Sequence, residues 1–404
     1  MERTLETIDI PAHVPRDRVR DFDIFSFVEP TDDVHVAWHD VINNGPPLFY
    51  TPHFGGYWVI ANGALLDQVF ADAEGFISGE GVGIPVAPPE IPKFLPIDAD
   101  GPFHKALRRP LNVALSPKAV QALSVSVREL AIELIEGIAP NGRCDFVTDF
   151  SLKLPMELFL RIVDMPSNDR EYLLGVTHSA IKGKTANERF AAFGEMNQYL
   201  DAKVRERMAN PGDDLMSAII TLTIDGEPLT HQQQIGYMTT VMLGGLDTVG
   251  GMMAMTARHL ANYPADRRRL IEHPEVLNEA LEEILRRYGI STVSRYVTRD
   301  IDLDGVTVKA GDRIILPSMV HGLDESEWPD ALKVDFDRQP RGYLTFGKGV
   351  HRCPGANLAR AELRIFVEEW LKRIPDFAID PEGQVLMETS SVMGLKSLPL
   401  VWTV

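Results

Sequence analysis

The sequence predicts a mainly α-helical fold with small β-sheets. Three observations predict it. Apolar residues recur at helical spacing through most of residues 102–207 and again in 213–223. Strand-type runs are short, confined to the start and the last third, and sit beside Gly, Asn or Asp turn residues. Between them lies an apolar stretch, 235–255, too long for a strand.

Taken in order, 47–51 and 57–61 are β-type runs around Gly55-Gly56, a hairpin pattern, and Asn62-Gly63 leads into a helical run over 64–70. Residues 78–96 carry Gly79, Gly81, Gly83, Pro85, Pro88, Pro89, Pro92 and Pro96. These rule out a long helix or central strand. The segment reads as a long ordered loop or lid, and such loops are usually functional or disordered. Ile224-Asp225-Gly226 reads as a turn, and Thr230 as the cap of the helix that carries 235–255. Helices follow at 265–271 and 274–288. Strands return at 301–303, 306–309 and 313–316, separated by Asp304-Gly305 and Gly311-Asp312, both hairpin signals. A last helix covers 357–374, and 392–404 reads as strands. No linker or low-complexity segment interrupts the chain, so residues 1–404 are read as one domain.

Composition excludes several functions. Hydrophobic residues are 45% and charged residues 24%, ordinary for a soluble protein. The net charge of -18 argues against a nucleic-acid partner, because phosphate binding needs a cationic face. Cys144 and Cys353 are the two cysteines, too few for a disulfide framework and consistent with a reducing compartment. Residues 1–15 have no continuous apolar core and do not read as a signal peptide. Residues 235–255 hold Asp247 near their middle. An acid at mid-bilayer costs roughly 2.5–3.5 kcal/mol, so this is read as a buried helix with no membrane partner. The bacterial cytoplasm is the expected location.

Cys353 stands in Phe346-Gly347-Lys348-Gly349-Val350-His351-Arg352-Cys353-Pro354-Gly355, just before the last helix. A lone Cys is most often a small buried hydrophobe. Here three glycines permit tight turns and close backbone approach to a flat partner. The following helix N-terminus, His351 and Arg352 favour a thiolate. A thiolate on haem iron donates electron density, and it needs amide hydrogen bonds to persist. Zinc fails on ligand count, and nothing else supports a Cys-His hydrolase.

Leu243-Gly244-Gly245-Leu246-Asp247-Thr248 breaks helix rules. Each interior glycine costs about 1 kcal/mol against Ala. That cost suggests close approach of a cofactor or an opened hydrogen-bond ladder; tight helix–helix packing is the alternative. Asp247 and Thr248 can relay protons, or Thr248 can back-bond to a carbonyl one turn earlier. Glu283 and Arg286, at i, i+3, would alone be a surface pair worth about 0.2–0.5 kcal/mol. His104 and Arg108, at i, i+4, would be unremarkable on a surface.

Phe346-Gly-x-Gly-x-His-x-Cys353-x-Gly355, followed by Leu358-Ala359-Arg360, resembles the haem-binding signature of the cytochromes P450. The resemblance implies the cytochrome P450 fold, with haem b buried between the long distal helix and the Cys-loop with its proximal helix. It makes Cys353 the axial iron ligand, Phe346 a neighbour of the sulfur, and Gly244 and Gly355 cofactor contacts. His104, Arg108, Arg295 and His351 become propionate partners. Thr248 hydrogen-bonds dioxygen and Asp247 brings protons inward. Glu283 and Arg286 pair with Arg338 to brace the cysteine loop.

Residues 244–249, 282–287, 374–377 and 397–402 extend the likeness to the bacterial camphor 5-monooxygenase branch and its terpenoid-hydroxylating relatives. This implies a pocket lined by Phe94, Ile97, Leu243, Ser291, Val293, Ser391 and Val392, gated by loop 78–93. Two positions depart from the pattern. Val293 stands where an Asp would contact a propionate, and Pro92, beside Lys93, where a Tyr would hold a ketone. The expected substrate is a small apolar terpenoid: camphor, 1,8-cineole or an ionone-like norisoprenoid. Lys105, Arg109, Arg341, Lys348 and Arg352 would steer an acidic redox partner. No flavin or nicotinamide signature is present, so electrons are expected from a 2Fe-2S ferredoxin with its reductase, with O2 as co-substrate. A peroxide-dependent haem-thiolate enzyme and a non-catalytic haem sensor are the alternatives.

Overall fold

A computed structural model describes residues 9–183 and 185–404. The first eight residues of the stretch read as lacking a signal peptide lie outside them.

Helices α1 (Val34–Asn44) and α2 (Gly63–Ala71) flank the hairpin of β1 (Leu48–Thr51) and β2 (Tyr57–Ile60), and short β3 (Phe76–Ile77) follows. As the prolines dictate, residues 78–96 hold no helix or strand. Then come α3 (Gly101–Ala114), α4 (Pro117–Ile138), β4 (Arg143–Asp145), α5 (Lys153–Ile162), α6 (Arg170–Lys182), α7 (Ala186–Ala209) and α8 (Leu215–Ile220). The turn at Asp225-Gly226 joins β5 (Thr223–Ile224) to β6 (Glu227–Pro228). Thr230 caps α9 (His231–Asn262) through a reciprocal box with Gln233, two orphan amides satisfied at once.

Next are α10 (Pro264–Glu272), α11 (Leu277–Arg287), β7 (Thr292–Val297), β8 (Ile301–Leu303), β9 (Val306–Val308), β10 (Arg313–Pro317) and α12 (Met319–Leu323). The chain closes with α13 (Ala356–Arg373), β11 (Ala378–Ile379), β12 (Leu386–Glu388), β13 (Gly394–Ser397) and β14 (Pro399–Val401).

One hairpin signal misleads. Asp304-Gly305 does join β8 to β9, but Gly311-Asp312 does not pair β9 with β10. Strand β10 instead enters a five-stranded sheet in the order β1-β2-β10-β7-β3, parallel to β2 and antiparallel to β7. The Asp312 carboxylate accepts from the Trp58 indole and the Lys309 amide, each at 2.9 Å, and so turns the chain away. Ile314, Ile315 and Leu316 are all buried, as a continuous apolar run in a central strand requires.

Two apolar cores flank α9. Its C-terminal half, Val249 to Ala261, packs with α4, α11, α13 and the five-stranded sheet. Its N-terminal half, Ile235 to Leu246, packs with α5, α7 and α8. The Gly244–Thr248 segment therefore lies where the helix passes from one core to the other. The helix runs continuously through it. Among the described residues, no helix is long and apolar enough to cross a membrane.

Candidate active site

At that junction the chain encloses a cavity of about 830 Å³. Gly244, Gly245 and Thr248 of α9 line it, as do Phe346, Gly347, His351, Cys353 and Gly355 of the cysteine loop. Much of loop 78–96 supplies another wall.

The cysteine loop is shaped by its own backbone. The Cys353 N–H donates to the Phe346 carbonyl at 2.9 Å, and the Gly347 N–H to that of Leu344 at 2.8 Å. Gly347 and Gly349 have φ of 64° and 70°, the left-handed region that glycine reaches without strain. The Gly355 amide hydrogen-bonds the Cys353 sulfur just before α13 begins. Burial pushes the Cys353 thiol up, opposed by that amide and by the Arg108, Arg352 and Arg360 charges. In the protein alone burial outweighs the helix terminus and cations that the sequence suggests would favour a thiolate. A metal cation at the sulfur would reverse the balance, since a coordinating thiol is deprotonated outright.

Among the basic side chains on the cavity wall are His104, Arg108, Arg295 and His351. The two imidazoles lie 4.2 Å apart. Burial and the neighbouring His351 and Arg108 hold His104 down to about 4. Arg295 is 4% exposed, and burial brings it down to about 10. Among the described residues its side chain makes one hydrogen bond, from Nη1 to the Ser294 carbonyl at 2.8 Å. Arg108 donates to the Arg352 carbonyl at 2.9 Å, but its Nε is buried without a partner among the described residues. Buried cations without carboxylates are costly. A flat cofactor with two carboxylates fits this set, and the cysteine sulfur fits its metal.

The glycines of α9 separate the alternatives. A Cβ on Gly244 or Gly245 would meet nothing within 4 Å, so helix packing does not explain them. Packing does explain Gly250, whose Cβ would stand 2.7 Å from the Ser151 carbonyl. Thr248 donates to the Gly244 carbonyl at 2.9 Å, the back-bond one turn earlier. Asp247 is half-buried and lies off the cavity wall.

Glu283 and Arg286 are not a surface pair; both are fully buried. Arg286 Nε and Nη2 reach the Glu283 carboxylate at 2.8 Å each, and Arg338 Nε reaches it at 3.0 Å. The cluster braces the segment before the cysteine loop rather than the loop itself. Arg286 also binds the carbonyls of Gly322, Ala331 and Lys333. The loop is tied to α11 separately, by Thr345 donating to the Leu285 carbonyl at 2.7 Å.

Phe94, Ile97, Leu243, Ser291, Val293, Ser391 and Val392 all line the cavity, with Pro92 and Lys93 beside them. Loop 78–96 is bonded down at several points. Asp98 accepts from Val82 and Phe94, and Arg313 holds the carbonyls of Glu80 and Gly81. Of the basic residues expected to steer a partner, Lys105, Arg109, Arg341 and Arg352 are exposed, while Lys348 pairs with Asp67 at 2.7 Å.

Sequence reasoning missed three residues here. Asp100 binds His351 at 3.2 Å and the amides of Ser78 and Gly79, joining the loop to the cysteine side. The Asp98-x-Asp100-Gly101 spacing just before a helix was the available signal. Asp98 anchors the loop. Glu362, buried on α13 and lining the cavity, is pushed up to about 8 by burial; its helical context gave no signal.

A sequence-family model described as Cytochrome P450 matches residues 111–404. The probable cytochrome P450 127A1 of Sinorhizobium fredii is 32% identical over 409 residues, covering 99% of this chain and 98% of that protein. The crystal structure of CYP101J2 superposes with a TM-score of 0.89 at 36% identity, over 98% of this chain and 100% of that one. That of CYP101C1 gives 0.89 at 38%, with the same coverage.

Proposed function

Because this chain belongs to the cytochrome P450 family, we propose that Cys353 holds haem b in the cavity and that a small apolar terpenoid is hydroxylated above it. The chain is a cytochrome P450 monooxygenase. The observation that carries the assignment is the Cys353 sulfur facing a cavity lined by two guanidinium groups, Arg108 and Arg295, that pair with no carboxylate among the described residues.

Haem bound through a cysteine thiolate supplies dioxygen activation, since thiolate donation favours O–O cleavage. The Gly355 amide steadies the sulfur as an anion. Arg108, Arg295, His104 and His351 take the two propionates. Gly244 and Gly245 leave room for a flat ring. Thr248 holds a proton at Oγ1; a turn about χ1 redirects it from the Gly244 carbonyl into the cavity. Asp247, next in the chain, restores that proton from the outer side. Glu283, Arg286 and Arg338 keep the segment before the loop in place.

Pockets for small ligands run roughly 300–1,000 Å³. One of about 830 Å³ that must also take haem leaves space only for a compact ligand. Phe94, Ile97, Leu243, Val293 and Val392 make its walls mostly apolar, which favours a terpenoid such as 1,8-cineole, camphor or an ionone-like norisoprenoid. Loop 78–93 is the gate. Residues 1–404 act as one domain in the bacterial cytoplasm, and a 2Fe-2S ferredoxin with its reductase delivers electrons at the face carrying Lys105, Arg109, Arg341 and Arg352.

The test is to titrate 1,8-cineole, camphor and β-ionone into the oxidised holoprotein and track the low-to-high-spin change, then to measure turnover with ferredoxin, reductase and labelled dioxygen. At least one ligand should shift the spin state and gain one labelled oxygen. No response to any of them, or product formed with peroxide alone and not with ferredoxin, contradicts the reading.

A further inference from the structure

Arg360 of α13 is gripped by two neighbouring elements. Its Nε and Nη2 reach the Glu282 carboxylate of α11 at 2.6 and 3.0 Å, and Nη2 also reaches the Tyr343 hydroxyl at 3.0 Å. That hydroxyl donates to Glu282 in turn. Arg360 Nη1 donates to the Ala356 carbonyl at 3.3 Å, so every nitrogen of the guanidinium is engaged. Despite burial, the bonds from Arg360 and Tyr343 hold the Glu282 carboxyl below the usual carboxylate range, so both partners carry charge. An ordinary exposed ion pair adds little to stability. This one is bidentate, its side chains are only 29% and 25% exposed, and a third group locks it.

The guanidinium lies over the Phe346 ring, with Cζ 4.6 Å from the centroid. On that side it meets a ring rather than water, so its charge is weakly screened. Phe346 is tied to the cysteine, whose N–H donates to its carbonyl at 2.9 Å. Three cations act on the Cys353 thiol against its burial: Arg108, Arg352 and Arg360. Arg108 lines the cavity, where carboxylates would claim it, and Arg352 is exposed. Arg360 is off the cavity wall, and it alone of the three is held by a carboxylate among the described residues.

We propose that Arg360, positioned by Glu282 and Tyr343, sets how readily the iron held by Cys353 takes up an electron. This rests on the haem-thiolate reading above and adds a positioning pair to it. In that step one electron passes from the reduced ferredoxin, ferric iron becomes ferrous, and no bond forms or breaks. The iron–thiolate unit gains one negative charge. A fixed cation nearby favours the change, and the carboxylate bound to that cation offsets part of the effect. The planar fork holds the charge at one place over the ring, which a lysine point charge on a flexible stem would not.

The test is the reduction potential of the holoprotein, measured by spectroelectrochemistry for the wild type, Arg360→Gln, Arg360→Lys and Glu282→Gln. The C–O stretch of the reduced carbonyl complex is the second readout. Arg360→Gln should lower the ferrous-to-ferric ratio at a given potential about tenfold, the order expected for one partly buried charge. That corresponds to about 59 mV for one electron. Glu282→Gln, which leaves Arg360 bonded to Tyr343 and Ala356, should raise the ratio. Arg360→Lys should fall between Arg360→Gln and the wild type. The stretch should move down in Arg360→Gln and up in Glu282→Gln, as the sulfur donates more or less electron density. Shifts of the same sign in those two variants, or wild-type potentials in both, overturn the pair's role while the haem reading stands. Should Arg360→Gln fail to hold haem, Glu282→Gln decides alone, and a potential that does not rise overturns the role. A wild type without the carbonyl band of thiolate-ligated haem overturns the haem reading and the pair's role with it.

Discussion

Arg295 donates to the carbonyl of Ser294, its own chain neighbour, and reaches no carboxylate within ion-pair distance among the described residues. A guanidinium this deeply buried is unfavourable for the protein alone. It becomes favourable only when an anion enters the cavity. Replacing it with Leu should leave resistance to denaturant unchanged or improved in haem-free protein, while haem leaves the holoprotein several-fold faster. Haem transfer to an apoglobin measures the second effect. Unchanged release would remove Arg295 from the cofactor set.

Two glycines of α9 make opposite predictions. Gly244→Ala places a methyl in open space and exchanges a poor helix former for a good one, a gain of up to about 1 kcal/mol. Cofactor or ligand binding should suffer, because the methyl enters the cavity. At Gly236 the same methyl would land on the Lys93 carbonyl oxygen and push loop 78–96 away. Thermal unfolding and haem content should therefore separate the two: Gly244→Ala stable but binding poorly, Gly236→Ala destabilised. Equal stability of both would contradict the close approach seen at Lys93.

Glu283→Gln removes half the charge balance of a fully buried cluster. Arg286 would keep its carbonyl partners but lose its counter-ion, and breaking a buried pair from one side costs about 3–5 kcal/mol. Denaturant unfolding should show a loss of that order, with Arg338→Ala milder because Arg338 is partly exposed. A wild-type midpoint for Glu283→Gln would mean that the carbonyls alone satisfy Arg286.

His35 sets a pH dependence. It is fully buried, and burial with the nearby Arg287 charge holds it down to about 4 from 6.5. Its Nε2 lies 2.9 Å from the Gly289 carbonyl, so the neutral ring carries its proton there. Unfolding lets the ring protonate below about pH 6.5. Between about pH 4 and 6.5 the unfolded chain binds more protons, so stability rises with pH across that window. The full interval corresponds to about 3 kcal/mol. His104, held low for the same reason, adds in the same direction. His35→Gln should flatten the rise; an unchanged slope would assign it elsewhere.

What could be read from the sequence was local. The cysteine loop, the Thr230 cap, the Asn62 start of α2 and the Pro-rich segment each declare themselves within about ten residues, because turns and caps are short-range chemistry. What could not be read depends on distant partners. Strand β7 carries Ser294 and Arg295 in a sheet interior, where alternation gives no warning. Asp312 turns β10 into the sheet through Trp58, far away in the chain. Asp100 joins a loop to His351 across most of the sequence. Glu283 and Arg286 read alone as an ordinary helix pair; only the family resemblance implied their pairing with Arg338, and packing buries the pair completely.

The central claim, that Cys353 holds haem as its thiolate, is tested most directly by one spectrum. The purified protein, supplied with haem, is reduced and exposed to carbon monoxide. A strongly red-shifted Soret band that disappears in Cys353→His is the predicted result. A protein that stays colourless, or a wild-type band at the position given by histidine-ligated haem, would contradict it.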